Sequence, residues 1–444
     1  MLAYYFRLAV KSFRRTPGLT ALMVCAIALG IGTCVVTLTV YHAMSGNPIW
    51  WKNNVLYAVT MDSWDPSPND AYDPDHPQLA PPQLTYRDAE YLYQSTIPRR
   101  KVIMTQLIGM LSGVPGKSVP IQAPTRATTR DFFSMFDVPF QFGGAWDAAA
   151  DSGPEPVMVL SKRENEKLFG GANSVGQTIL WNAHRFRIVG VLADWRPLPR
   201  FYDLTTHSPW SNPDDVYVPF QWGPTLKQLP GGNSSCWGSN AVNTYEDFIG
   251  SECVWIEMWV ELSTPQAREQ MQAYMDSYWA TQHKAGRFAR PLNNHLTNVS
   301  GWLKVNGVVT GDSRILLRLA FAFLTVCLIN TVGILLAKFL RAAPTSGLRR
   351  ALGASRREIF VQHLAEVAAI SLGGAALGLA LGVAGLGAVR TLYTNSDGYS
   401  QLAHFDPLGI AWALGLAALS TLAAGLYPAW TVGRLPPSLY LKSR

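Results

Sequence analysis

The sequence predicts an integral membrane protein in which an α-helical four-span bundle carries a large α+β extracytoplasmic domain inserted between the first and second spans. Three observations lead there: four long runs without Asp, Glu, Lys or Arg, basic residues gathered in three short segments beside those runs, and a polar, varied stretch over 46–312. Apolar residues make up 48% and charged residues 15%, a balance shifted away from that of an ordinary soluble protein.

No Asp, Glu, Lys or Arg lies between Arg15 and Lys52, and the core of that interval, PGLTALMVCAIALGIGTCVVTLTVYHAM, can cross a hydrocarbon layer of about 30 Å as a helix. It far exceeds the ~7–15 apolar residues of a signal peptide, and no small-residue cleavage site follows, so it reads as an uncleaved anchor. Leu319–Ala337, Val367–Val389 and Pro407–Gly433 meet the same length test. Basic residues set the orientation. Met1–Thr16, Lys338–Glu358 and the tail after Gly433 hold thirteen basic residues and one acidic residue, so a chain of net +7 carries −5 elsewhere. The basic excess is therefore a topology signal, and a nucleic-acid role loses its main support. The expected layout is a cytoplasmic segment 1–16, a first transmembrane helix 17–45, the outer domain 46–312, a second helix 313–340, a cytoplasmic loop 341–358, a third helix 359–389, a short outer loop 390–406, a fourth helix 407–431 and a cytoplasmic tail 432–444.

In the outer stretch, PQLTYRDAEYLYQS reads as a helix after Pro81-Pro82, KVIMTQLIGM and VPIQA as strands around a Gly/Pro turn, and RATTRDFFSMF as a helix with Phe132, Phe133 and Phe136 on one side. PVMVLSKRENEKLFGG gives a strand, a capping Ser161 and a helix ended by glycine. QTILWNAHRFRIVGVLADW gives two strands about an Asn-Ala-His turn, DDVYVPF and CVWIEMWVEL one strand each, and TPQAREQMQAYMDSYWATQ a helix from Pro265. Helices and strands mixed in this way mean α+β.

LSGVPGKS, over 111–118, ends like a phosphate-binding loop, but Leu111 stands where the first glycine is required and Pro120 and Pro124 fall where the following helix would begin. A hairpin fits better. No catalytic group and no metal site is assigned: His184, His207, His283, His295 and His404 occur singly, and DSWDPSPNDAYDPDH lacks the alternation, central glycine and closing Glu of a calcium loop. Cys25, Cys34 and Cys327 fall in apolar runs as small buried hydrophobes. Cys236 and Cys253 fall in the outer domain, where an oxidising compartment lets them pair as a disulfide; two unrelated thiols are the alternative, and a zinc pair lacks a second close Cys or His pair.

The first half of AAPTSGLRRALGASRREIFVQHLAEVAAISLGGAALGLALG is basic and opens with Pro344 and Gly347. It reads as a short amphipathic helix, a break at Gly353 and the start of the third span, with Leu348, Ala351 and Leu352 inward and the arginines toward lipid phosphate or a partner. Glu366 is a membrane-interface acid, costly in a bilayer and often functional; a snorkelling glutamate is the alternative. Gly374, Gly378 and Gly382 recur every four residues, a small-residue face for close helix packing.

GLRRALGASRREIFVQHLAEV closely resembles the cytoplasmic loop of MacB/FtsX-type ABC transporter permeases, G-[IL]-R-R-A-[LI]-G-A-[ST]-R-x-x-[IV] followed by Q-x-x-x-E. LYPAWTVGRLPPSLYLKS resembles the end of that family's chains, and FDVPFQFGGAWD with VMVLSKRENEKLFGG, VGQTI and FRIVGVLAD resembles its extracytoplasmic domain. The resemblance implies a permease of the bacterial inner membrane, multi-pass in the lipid bilayer, with both termini cytoplasmic and the large domain periplasmic, dimeric with itself or a similar permease. It implies that Gly347, Leu348, Arg349, Arg350, Ala351, Leu352, Gly353, Ala354, Ser355, Arg356 and Arg357 couple to an ABC ATPase, and that Glu366 positions the loop helix by pairing with an arginine. Sixteen residues before the first span are too few for a nucleotide-binding domain, so ATP and Mg are expected on a separate ATPase subunit, with no cofactor bound directly. Family members often carry an acid near Thr345, and PTSGLRR has none, so docking differs in detail. A periplasmic adaptor and an outer-membrane channel are the further partners implied, with an antibiotic, peptide or siderophore-like cargo. A lipoprotein-releasing permease and an FtsX-like regulator of a wall hydrolase share the layout.

Overall fold

Strands must be paired and long apolar helices must be covered, and these two requirements divide the chain into units that are described separately. The computed structural model describes residues 12–65, 72–73, 78–113, 119–237, 242–308 and 311–392, with Gly415, Leu426, Pro428 and Trp430. One unit is Gly46–Val308; the other joins Met1–Ser45 to Val309–Arg444.

The described helices are α1 (Pro17–Ser45), α2 (Tyr86–Tyr93), α3 (Asp131–Met135), α4 (Ala148–Ser152), α5 (Lys162–Phe169), α6 (Trp222–Thr225), α7 (Tyr245–Gly250), α8 (Pro265–Lys284), α9 (Val299–Val305), α10 (Gly311–Ala351) and α11 (Arg356–Leu392). The strands are β1 (Leu56–Thr60), β2 (Leu84–Thr85), β3 (Arg100–Ser112), β4 (Ile121–Thr128), β5 (Phe140–Gly143), β6 (Val157–Leu160), β7 (Thr178–Trp181), β8 (His184–Leu192), β9 (Val216–Pro219), β10 (Val254–Glu261) and β11 (His295–Asn298).

The strands form one mixed sheet in the order β11-β1-β10-β3-β4-β9-β6-β8-β5, with β2 beside β10 and β7 bridging β3 and β8. β3 and β4 pair antiparallel from Met104–Thr128 to Leu111–Ile121. The turn that joins them, 114–118, lies outside the described residues. Every residue of β10 is buried: α8 covers one face with Met271, Met275 and Tyr278, and on the other Trp259 packs against Phe136, Phe201 and Trp302. A second core gathers Trp181, Phe186, Ile188 and Trp222 from β7, β8 and α6. Local chemistry starts the helices. The Thr85 hydroxyl accepts from Asp88 N at 3.2 Å to cap α2, Ser161 caps α5, which Gly170 ends at φ +63°, and Thr264 caps α8 ahead of Pro265.

RATTRDFFSMF is not one helix: Arg126–Thr128 belong to β4, where Thr125 and Thr128 suit a pleated strand, and only Asp131–Met135 is helical. Phe132, Phe133 and Phe136 are nonetheless buried together against Tyr217 and Tyr202.

In the other unit α1, α10 and α11 are long and apolar enough to cross a membrane. Met23, Ile27, Ile31, Cys34 and Val35 of α1 pack with Ala320, Leu324, Leu335 and Phe339 of α10 and with Val367, Ile370 and Ala375 of α11. The fourth span expected over 407–431 and the tail 432–444 lie outside the described residues, save four isolated positions, as does most of 390–406.

Candidate functional site

The junction of α10 and α11 gathers the basic motif. α10 runs for 41 residues, about 61 Å at 1.5 Å per residue and twice a ~30 Å hydrocarbon layer. It continues through Pro344, so 341–351 is the last part of a long helix and not a separate amphipathic one. Gly353 ends it. At φ +105° this residue takes the left-handed backbone that glycine tolerates, and Ala354 N donates to Arg349 O at 3.1 Å, the six-to-one bond of a Schellman-type cap. Two residues on, the Ser355 hydroxyl accepts from Glu358 N at 3.2 Å while Ser355 N donates to Glu358 Oε2 at 2.8 Å. That reciprocal capping box starts α11. Leu-Gly-Ala-Ser thus encodes a stop and a restart, reversing the chain within four residues.

Gly347 is buried on α10, while Leu348 and Leu352 are 57% and 80% exposed, opposite to the inward placement expected for them. Arg349, Arg356 and Arg357 are exposed around the same turn, with Gly353 and Ser355; Ala354 is half-buried. The side chains of Arg350 and Ala351 lie outside the described residues. Two leucines facing water among arginines form an amphipathic surface without cover among the described residues.

Behind the turn lies a polar ladder between helices. Arg349 Nη1 donates to Gln362 Oε1 at 2.8 Å, tying the end of α10 to α11. Eleven residues earlier on α10, Lys338 Nζ sits 2.6 Å from Glu366 Oε1 as an ion pair, without the alignment of a hydrogen bond. Ser12, ahead of α1, donates to the same Glu366 oxygen at 2.5 Å. Glu366 is 5% exposed and Lys338 6%, so its partner is a buried lysine and not the arginine expected. His363, one turn from Glu366, is buried against Phe339 with ring centroids 4.3 Å apart.

The glycines of α11 face α1. A Cβ at Gly374 would fall 2.7 Å from Ile27 Cγ2, one at Gly378 would lie 3.0 Å from Ala28 O, and one at Gly382 would lie 3.0 Å from Val35 Cγ1. At Gly378 the obstacle is backbone, which cannot swing away, so this position sets how closely the helices approach.

In the Gly46–Val308 unit, Cys236 and Cys253 are disulfide-bonded, fastening the 235–237 loop to the start of β10. Sequence reading missed a buried ionic cluster here. Arg126 of β4 donates from Nε to Asp214 Oδ2 at 3.0 Å and from Nη2 to Asp203 Oδ2. Arg200 Nη2 donates to Asp214 Oδ2 at 2.7 Å and to Asp203 Oδ2 at 3.3 Å. Glu257 of β10 accepts at Oε1 from Gln83 Nε2 and the Thr205 hydroxyl, 2.9 and 2.6 Å away. The only local signal for Arg126 was a lone arginine in an otherwise uncharged strand; its partners lie 77 to 131 residues away.

Burial opposes ionisation of Asp203 and Asp214, but Arg126 and Arg200 outweigh it and hold both carboxyls below the usual range. Glu257 lacks such cover. Burial, reinforced by Asp203, pushes it up to about 8 against the weaker pull of Arg126. The folded chain therefore holds this proton where the unfolded chain has lost it, so stability falls as pH rises from about 4.5 to about 8 and levels off above. Thermal unfolding of the full chain should show that decline between about pH 5 and 8, with a slope approaching ~1.4 kcal/mol per pH unit, and Glu257→Gln should flatten it. An unchanged slope in the variant would assign the dependence to another group. Among the described residues no set of three His, Cys, Asp or Glu side chains could hold a metal ion.

Two family models match the chain: the MacB-like periplasmic core domain over residues 20–278 and the FtsX-like permease C-terminal over residues 318–437. The macrolide export ATP-binding/permease protein MacB of Bdellovibrio bacteriovorus is 25% identical over 285 residues, 63% of this chain and 38% of that protein. The pyoverdine export ATP-binding/permease protein PvdT of Pseudomonas aeruginosa is 22% identical over 430 residues, 96% of this chain and 56% of that protein. The chain thus spans about half the length of such relatives or less. The crystal structure of the periplasmic region of MacB from Actinobacillus actinomycetemcomitans aligns at a TM-score of 0.37 with 14% identity, over 59% of this chain and 97% of that one. With the first model covering more than half of the chain and the second most of its C-terminal part, the protein belongs to the MacB/FtsX-type family of ABC transporter permeases.

Proposed function

We propose that the chain is the permease of an ABC exporter in the bacterial inner membrane, driven by a separate ATPase subunit that binds ATP and Mg and docks on the α10–α11 turn. The observation that carries this reading is the turn's own surface: Leu348, Leu352, Arg349, Arg356 and Arg357 exposed on a rigid helix reversal. Leu348 and Leu352 stand one helical turn apart, as apolar anchors in a partner's groove would, and the arginines around them set orientation.

Displacement of the turn is carried along α10 as a single helix, and through Lys338, Glu366 and Ser12 to α1 and α11. Both α1 and α10 lead into the Gly46–Val308 unit, so the helices act on a periplasmic domain. Cargo already in the periplasm is moved by that domain, with a periplasmic adaptor and an outer-membrane channel completing the route and a second permease copy supplying the other half of the assembly. The exporter names of the relatives favour an antibiotic, peptide or siderophore-like cargo over a wall-hydrolase signal.

The test is an affinity pull-down of the tagged chain in mild detergent, with mass spectrometry and an ATPase assay of the eluate. Wild type should recover an ATP-binding subunit. The variant Arg349→Glu, Arg356→Glu, Arg357→Glu should lose it at least tenfold while staying in the membrane fraction. Equal recovery with the variant would remove the turn as the docking surface, and a wall hydrolase in place of an ATPase would overturn export.

A further inference from the structure

Trp50 and Trp51 pose a problem that the coupling scheme leaves open. They are 72% and 55% exposed, adjacent, and packed edge to face with ring centroids 5.9 Å apart. Two neighbouring indoles on a water-facing surface are costly, because each carries a large apolar area. They also stand at a particular place in the chain. The apolar stretch that begins at Pro17 ends at Lys52, and Trp50 follows the last residue of α1 by only five residues, at most about 17 Å of extended chain.

The short 3-10 helix Trp50–Lys52 is held firmly. The Trp51 indole donates to Asp137 Oδ2 at 2.9 Å, and Lys52 Nζ reaches Asp137 Oδ1 at 2.6 Å, Met135 O at 2.9 Å and Ser134 O at 3.1 Å, capping the end of α3. Asp137 itself has φ +51°, a conformation unusual for a residue with a side chain, and these two donors grip it there. A second tie joins this segment to α9, which leads toward α10: Asn53 Oδ1 accepts from Ser300 N at 2.9 Å and from the Ser300 hydroxyl at 2.8 Å, and Asn47 Nδ2 donates to Asn53 Oδ1 at 2.9 Å. Lys304, four residues after Ser300 and so on the same face of α9, is exposed, with Val305 exposed beside it.

From this arrangement we infer that Trp50, Trp51 and Lys304 form a lipid-contacting surface that rests in the outer headgroup layer of the membrane crossed by α1. Tryptophan suits that layer, where its apolar body meets acyl chains and its N–H meets polar groups, and a lysine ammonium pairs with phospholipid phosphate. The surface rests on α1 being a membrane span, and it gives the Trp50–Lys52 segment a task of its own: it seats that segment on lipid.

The test uses the full chain with Cys25, Cys34 and Cys327 changed to Ala, so that Trp50→Cys can carry an NBD fluorophore, and with Glu166→Cys as an exposed comparison site. Both labelled proteins are reconstituted in phosphatidylcholine–phosphatidylglycerol vesicles with or without 5-doxyl lipid, and membrane retention is checked by alkaline carbonate wash. At position 50 the emission should be blue-shifted and quenched several-fold more by the doxyl lipid than at position 166. A water-like, unquenched probe at 50 in a carbonate-resistant chain overturns the lipid surface and leaves the permease reading intact. A blue shift without lipid quenching means a protein contact and overturns it as well. Loss of the chain from the membrane would overturn both readings.

Discussion

Lys338→Ala is expected to lower the unfolding midpoint of the detergent-solubilised chain by on the order of 10 °C, reflecting a cost of about 3–5 kcal/mol. The reason is the partner left behind. Glu366 is 5% exposed between α10, α11 and the segment ahead of α1, and without Lys338 its only described polar partner is the Ser12 hydroxyl. A carboxylate in that position must stay charged and unpaired or take up a proton, and either route weakens the seam. Lys338→Met combined with Glu366→Leu should recover most of the loss, because apolar side chains of similar size dispense with the desolvation that the pair bears. Such a double variant separates two roles: if it regains stability yet no longer shows ATPase activity coupled to transport, the pair transmits motion; if it regains both, the pair is structural. An unaltered midpoint for Lys338→Ala alone would show that the three helices do not depend on this contact.

Much of the membrane unit was legible because its signals are local. Uncharged runs of sufficient length marked α1, α10 and α11, and Gly353 and Ser355 carried their stop and start chemistry in the chain itself. Pro344 and Gly347 misled for the same reason. They look like a helix break, but a proline removes one hydrogen bond, and a 41-residue helix anchored through Leu335 and Phe339 absorbs that loss, so the end falls where Gly353 adopts positive φ. Glu366 stands out by its position in an apolar run, yet nothing in the sequence says that a lysine 28 positions earlier, and not an arginine, faces it.

The outer unit shows the limit more sharply. Individual strands could be read from alternation and turn residues, but β1 beside β10, β4 parallel to β9 and β6 parallel to β8 are pairings over long separations. Register between distant strands depends on which faces become buried, and that is settled only when all of them assemble. Arg126 illustrates the point: its neighbours in sequence, Thr125 and Ala127, say nothing of Asp203, Asp214 and Glu257, which come from a loop and a strand far along the chain.

Arg126→Ala should therefore be the most damaging single change in the outer unit, costing about 3–5 kcal/mol and leaving little folded protein. Both Arg126 and the two aspartates it binds are fully buried. Its removal sets two carboxylates against Arg200 alone, in a site where burial already opposes their charge. Arg126→Lys should recover only a minority of that loss, because a single ammonium cannot reproduce a planar fork that reaches Asp214 through Nε and Asp203 through Nη2. The measurement is resistance of the outer unit to protease in membranes, together with the rate at which Cys236 and Cys253 become reducible. Adding Asp203→Asn to Arg126→Ala should restore part of the protection, since one negative charge then remains opposite Arg200. If the second substitution makes matters worse, the cost lies in lost packing and hydrogen bonding around β4 and not in uncompensated charge.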